Sequence, residues 1–219
     1  MKKHEKVFFA VGICMLFSEI VKQFLLTFVV NGGHYDWWHF PFQLCSLPMY
    51  LLTVLPFFKS AHTKQIILTF LMTYNLLGGI AVFFDTSGMH YPLTILTVHS
   101  FSWHVLLIII GIAAGIIVLK TSFICEKNAR LAWQTFLQCT LLYFVFCIIA
   151  SLINYFACSL GTVNMFYINP KYPMEQVLFG SITATCGNTA GISAYIAGTV
   201  FGGLVLFLFW RFTAKLMHH

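Results

Sequence analysis

Six apolar runs organise the chain, at roughly 7–30, 40–58, 65–84, 92–119, 131–156 and 188–211. A bilayer core about 30 Å thick needs about 20 apolar residues per helix, because unsatisfied backbone groups are too costly in lipid for other single-segment solutions. The pattern therefore predicts an all-α polytopic transmembrane bundle of six spans, a single integral membrane domain covering 1–219. The first run follows Met1-Lys2-Lys3-His4 in the manner of a signal peptide. It is too long for one and lacks an Ala-x-Ala cleavage site, so it is expected to be retained as a span. The longest connection, about Tyr155 to Gly187, holds a second apolar patch, Val177-Leu178-Phe179, too short to span and expected to lie at the interface or re-enter. Gly111/Gly115, Gly187/Gly191 and Gly198/Gly202 have the spacing that lets helix backbones approach closely. No internal repeat relates the two halves, which weighs against an inverted-repeat transporter.

Composition sharpens this picture. The chain is 59% hydrophobic and 8% charged, where a soluble protein carries about a quarter charged residues. Its mean hydropathy is +0.86. A soluble globule and a disordered chain are both excluded. The formal charge of +6 is spread without a basic cluster, so nucleic acid is not an expected partner. Basic loop residues stay on the cytoplasmic side during insertion. With the N-terminus inside, Lys2, Lys3, Lys6, Lys59, Lys64, Lys120, Lys127, Arg130, Arg211 and Lys215 fall inside and only Lys171 outside, with Lys22 within the first span. Both termini are thus expected to be cytoplasmic, in a multi-pass protein of the cell membrane.

Polar side chains are costly in lipid, so their depth carries information. Gln43 and Cys45 lie about 5–8 Å below the outer start of the second span, and His99 about 10 Å into the fourth. Ascending spans add Glu19 and Gln23, Asn75, and Ser151 and Asn154, all mid-membrane to outer. Glu19, Lys22 and Gln23 share a helix face and are expected to pair, either as a structural ion pair or with Glu19 orienting a functional His. Asn75, followed by Gly78 and Gly79, predicts a close helix contact with a hydrogen bond across it. Pro41 suits a helix's first turn, whereas Pro48 is expected to kink the second span and free carbonyls near Ser46 and the thiol.

Cys45 alone reads as a small hydrophobe. With His99-Ser100 at comparable depth on another span, an imidazole is available to take the thiol proton and produce an attacking thiolate. His104 lies about 140° around the helix from His99, which argues against a shared metal or haem site, and neither metal nor cofactor is expected. His34 and His90 read as solvated loop residues, while His39 is placed to meet a lipid headgroup at a pocket mouth. Cys158 and Cys186 are disulfide candidates in an oxidising compartment. Cys14, Cys125, Cys139 and Cys147 read as packing residues or reduced thiols. His218 and His219 carry no mechanism.

Three segments give the chain a family resemblance: Pro41-Phe42-Gln43-Leu44-Cys45-Ser46-Leu47-Pro48, His99-Ser100 and Asn164-Met165-Phe166-Tyr167. In order and position they resemble the six-span YwaF-like bacterial proteins related to the eukaryotic transmembrane protein 164 family. The eukaryotic branch is associated with cysteine-dependent acyl transfer to ether-linked lysophospholipids. The resemblance implies Cys45 as its cysteine and His99 as the base, and brings Tyr167 into the site. Gln43 stands where many relatives carry His, so the base falls to His39 or His99.

The leading expectation is a lipid acyltransferase or hydrolase acting in the outer leaflet on membrane lipids. Cys45 attacks an ester, His99 carries the proton, and Gln43, Ser46 or Asn75 holds the oxyanion. His39, Asn154 and Tyr167 complete the substrate-binding set, with Glu19 and Gln23 as orienting or structural polar groups. The alternative is a small-solute binding or transport component without covalent chemistry. Substrate-binding subunits of vitamin importers have similar size, but their Ala-rich first-helix face is represented here by Ala10 alone.

Overall fold

A computed structural model describes residues 2–121 and 129–217. Cys125, Lys127, His218 and His219 lie outside the described residues. Those described are mostly helical, with no strand among them. Helix α1 (Lys3–Phe24) continues through a π-helical turn, Leu25–Val30, and stops at Asn31-Gly32-Gly33. Gly32 and Gly33 take φ of 59° and 96°, left-handed values that end a helix cheaply only at glycine. A short helix α2 (Leu47–Val54) with a 3-10 turn, Leu55–Phe57, leads to one continuous rod. That rod comprises α3 (Ala61–Phe70), a π-helical turn (Leu71–Asn75) and α4 (Leu76–Ala81). Helices α5 (Thr94–Lys120), α6 (Ala129–Phe156), α7 (Phe179–Cys186) and α8 (Asn188–Met217) follow.

Among the described residues, five helical stretches are long and apolar enough to cross a membrane: Lys3–Val30, Ala61–Phe84, Thr94–Lys120, Arg130–Ser159 and Asn188–Met217. The architecture is that of a multi-pass membrane protein. The expected helix at 40–58 is corrected to Leu47–Phe57, which is too short to cross alone. Pro48 is the reason. Proline fits without losing an internal hydrogen bond only in a helix's first turn, so α2 begins around Pro48 and is not kinked by it. Pro41 likewise lies in an irregular stretch and not in a first helical turn.

Two cross-contacts fix where this broken segment runs. Gln23 Nε2 donates to the His39 carbonyl at 2.7 Å, while Lys64 Nζ meets Glu5 at 2.7 Å. The chain from His39 to Lys64 therefore returns from the level of residue 23 to that of residue 5, about 27 Å along α1. The end carrying the N-terminus is called proximal below, and the other end distal.

Packing around the central rod depends on close backbone approach. Phe70, Leu71 and Tyr74 are wholly buried there. A Cβ at Gly111 of α5 would lie 3.0 Å from the Leu71 carbonyl oxygen, and one at Gly202 of α8 would lie 2.7 Å from Leu77. Gly115 sits beneath the Trp210 ring, and Gly191 against Thr183. The expected Gly187/Gly191 packing pair is corrected: Gly187, at φ 89°, forms the turn between α7 and α8. The apolar patch near Leu178 folds back beside α8. Met174 N–H donates to Asn188 Oδ1 at 2.9 Å, yet the Phe179 ring lies against Gly198, ten residues farther down α8. Helix α7 then climbs back to Gly187.

Candidate functional site

At the distal end, irregular backbone takes the place of helix, and its polar groups find partners in side chains. Gln43 clasps one stretch by donating from Nε2 to the Asn164 carbonyl at 2.9 Å and accepting from Phe166 N–H at 2.7 Å. Asn154 does the same to Met165, accepting from its N–H at 2.6 Å and donating to its carbonyl at 3.1 Å. Asn164 Oδ1 accepts from Asn169 N–H, and Asn169 Nδ2 donates to Val163 O. These amides replace hydrogen bonds a helix would make internally, so Val163, Met165 and Phe166 are fully buried with the Val163 carbonyl, both Met165 groups and the Phe166 N–H paired. The same clamps hold Phe166 and Tyr167 at φ 57° and 58°. This plug accounts for what Gln43 and Asn154 do with their amides in this structure.

Asn75 is likewise engaged with backbone, donating from Nδ2 to Leu107 O of α5 at 2.9 Å and to Leu71 O at 3.3 Å. Gly79 beside it lets the helices touch, as the sequence predicted: its Cβ would lie 3.1 Å from Leu107 and Ile108. Asn75 Oδ1 is buried without a partner. Ser46 is buried at the start of α2, where its carbonyl accepts from Met49 N–H at 3.3 Å.

A second polar group gathers on α1. Glu19 is 4% exposed and takes Lys22 Nζ at 2.9 Å and Gln23 Nε2 at 2.6 Å. The carboxylate is thus paired along its own helix and is not bonded to an imidazole. Across the seam with α5, Ser18 Oγ and His99 Nε2 stand 2.7 Å apart. One turn deeper, Trp103 packs its ring 5.5 Å from His99 and donates from Nε1 to the Cys45 carbonyl at 3.0 Å. Cys45 is half-buried, and no hydrogen bond joins it to His99 among the described residues. The Glu19–Lys22 pair nevertheless acts electrostatically on Cys45, His39 and His99 alike, so these groups share one neighbourhood. His104 is buried about one turn and a half farther along α5, with Nδ1 2.8 Å from Ser100 O of its own helix, and it too feels the Lys22 charge.

The mouth of this neighbourhood holds His39, whose ring lies 5.5 Å from Tyr91 and whose Nε2 is 3.7 Å from Asp36. Burial lowers the His39 pKa below its ordinary value, with Asp36 opposing. Burial also raises Tyr91, partly offset by the Lys22 charge. Tyr167, edge-on to Trp38 at 6.2 Å, is pushed up to about 12 by burial, with smaller contributions from Cys45, Tyr91 and Asp85. His34 and His90 are exposed. Cys158 and Cys186 are free thiols.

Glu19, Gln23, His39, Cys45 and His99 therefore converge, with the Ser46 side chain beside the Cys45 thiol, whereas the amides of Gln43, Asn75 and Asn154 are tied to backbone elsewhere. Sequence reasoning passed over Ser18 and Tyr91. For Ser18 the available signal was its place one turn before Lys22 on the same helix face. Among the described residues no group of three or more His, Cys, Asp or Glu is arranged to hold a metal ion. No protein-family model, curated protein or solved structure matches the chain.

Proposed function

We propose that the chain crosses the cell membrane six times with both termini cytoplasmic, and that the cluster around His99 cleaves or transfers the acyl ester of a membrane lipid. The single observation carrying this reading is the Ser18–His99 contact at 2.7 Å, which holds an imidazole against a hydroxyl in the geometry of nucleophile and base. The excess of Lys and Arg at the proximal end supports the orientation, and the return of the chain from His39 to Lys64 supports a broken second crossing. Irregular backbone at membrane depth is tolerated where protein or a polar cavity surrounds it, which favours a site at this break.

The apolar flanks favour lipid as substrate. Phe17 and Ile20 of α1 and Ile95 and Val98 of α5, next to the seam, are largely exposed. The ester of a phospholipid lies just below its headgroup, the depth assigned here to His99. The resemblance to YwaF-like proteins remains part of this proposal and favours acyl transfer. In its terms Cys45 is the nucleophile, a role that requires the thiol to replace Ser18 at His99.

A second reading, small-solute binding, is favoured by one observation. Gln23 Oε1 is buried without a partner beside the Glu19–Lys22 pair, leaving an acceptor for a solute donor. Parent protein and His99→Ala reconstituted in phospholipid vesicles separate the two. Ester chemistry predicts free fatty acid or exchanged acyl chains from the parent and a loss of about 100-fold or more in the variant. A parent inert on diacyl, ether and lysophospholipids, or a variant as fast as the parent, overturns it.

A further inference from the structure

We infer that Ser18 is the nucleophile of this site and passes through an acyl-serine intermediate, an inference that rests on the ester-chemistry reading above. Ser18 Oγ and His99 Nε2 are 2.7 Å apart across two helices 81 residues apart in sequence. That separation lies within the range of about 2.6–3.2 Å over which a base removes a proton from its nucleophile. The contact is also not a by-product of tight helix packing. Helix α1 packs chiefly along α2, and α5 along the α3–α4 rod, so the serine and histidine meet across the seam between the two assemblies.

The seam is accessible from the side. Cys14 and Val21, one turn below and above Ser18, are exposed, and so is Ile95, one turn above His99. Ser18 and His99 are themselves half-buried. An acyl chain lying along α1 would bring its ester to the hydroxyl without passing through the packed core. Lys22 stands one turn from Ser18 on the same face, its ammonium paired with Glu19 at 2.9 Å, and its remaining N–H donors are the charged ones nearest an oxyanion developing at Ser18. Cys45, by comparison, has no hydrogen bond to the imidazole, and its carbonyl is tethered to Trp103.

The chemistry balances within these groups and the lipid. Ser18 Oγ bonds to the ester carbonyl carbon as its proton moves to His99 Nε2. Collapse of the tetrahedral adduct breaks the carbonyl carbon–glycerol oxygen bond, and the leaving oxygen takes the proton from His99. Water, or the hydroxyl of a lysolipid, then gives a proton to His99 and attacks the acyl carbon. The bond to Ser18 breaks and the serine recovers its proton, releasing a fatty acid or a new ester.

The test uses full-length protein in vesicles of mixed-chain phosphatidylcholine and lysophosphatidylcholine, with lipid turnover followed by mass spectrometry. An alkyl fluorophosphonate probe and acid-quenched peptide mapping locate the reacting residue. Expected are probe or acyl mass on Ser18, stable to neutral hydroxylamine, and turnover reduced about 100-fold or more in Ser18→Ala. Ser18→Cys is expected to carry instead an acyl group that neutral hydroxylamine releases, a readout independent of how well Ser18→Ala folds. A hydroxylamine-labile acyl group on Cys45 of the parent, or parental turnover in Ser18→Ala, overturns the serine while leaving ester chemistry standing. A parent that neither turns over lipid nor takes the probe overturns both.

Discussion

The proximal and distal halves of the bundle solve the same problem, backbone in an apolar setting, by different means. In the proximal half helices are regular and glycine lets them touch. A Cβ at Gly12 would lie 2.8 Å from the Thr53 backbone nitrogen, and Gly115 rests under Trp210. In the distal half regular structure gives way between Asn31 and Ser46 and between Leu160 and Leu178, and side-chain amides complete the hydrogen bonding. Helices that satisfy themselves leave no polar group free for chemistry. Irregular segments clasped by Gln43 and Asn154 leave room beside them for Glu19, His39 and His99.

The largest effect expected from this contrast is in the plug. Asn154→Leu orphans the Met165 N–H in a buried site and leaves its carbonyl with the Ile168 N–H alone, and should cost about 3 kcal/mol, roughly 2 for the unpaired donor and about 1 for the second bond lost at the carbonyl. Thermal unfolding in detergent checks it, and a variant melting with the parent would show that the amide clamp does not hold the distal half. Next comes Gly12→Leu, which forces α1 off α2. Overpacking against backbone should cost about 3 kcal/mol, seen as early melting and loss of a monodisperse species. A well-behaved Gly12→Leu would show that close backbone approach does not hold the proximal half.

The exception in the proximal half is Glu5, 3% exposed and paired with Lys64. Lys64→Met leaves that buried carboxylate without its cation, holding only the Lys2 N–H at 3.1 Å, and should cost about 2 kcal/mol, less than for a fully buried pair because Lys64 is partly exposed. Adding Glu5→Gln should recover most of the loss. A double variant no better than the single would mean that the pair contributes more than it costs to bury.

The smallest effect concerns pH. Because burial holds the His39 pKa below its unfolded value, the unfolded chain takes up the proton first as pH falls. The stability associated with neutral His39 is complete at high pH and is lost as pH drops through the ordinary imidazole range. His39→Asn should therefore flatten the acid limb of the melting profile between pH 7 and 5. An unchanged limb would assign it to other groups.

Much of the architecture was legible because hydropathy over 20 residues is a strong signal. Five of six runs became long helices, the Glu19–Lys22–Gln23 face paired as its spacing required, and Asn75 bonded across to α5 beside Gly79. The break at 31–46 was missed because residues 40–58 are apolar enough to pass for a span, while Pro48 admits a helix only from its own position onward. The clamps were invisible for a different reason. Gln43 finds Asn164 across 121 residues, a distance that no local pattern encodes. Cys45 and His99 were matched by depth, which counts residues along an axis and carries nothing about azimuth between helices. That missing angle is why Ser18, a single hydroxyl on an apolar helix, escaped notice while it faced the imidazole.

Melting and lipid turnover measured together for His99→Gln in the same vesicles decide whether the Ser18–His99 pair is catalytic. Expected is melting within a few degrees of the parent, since a single half-buried hydrogen bond is worth about 1 kcal/mol, with turnover reduced by about 100-fold or more. Retained turnover, or turnover and melting lost in step, would contradict catalysis by the pair and leave the Ser18–His99 contact as a helix fastening.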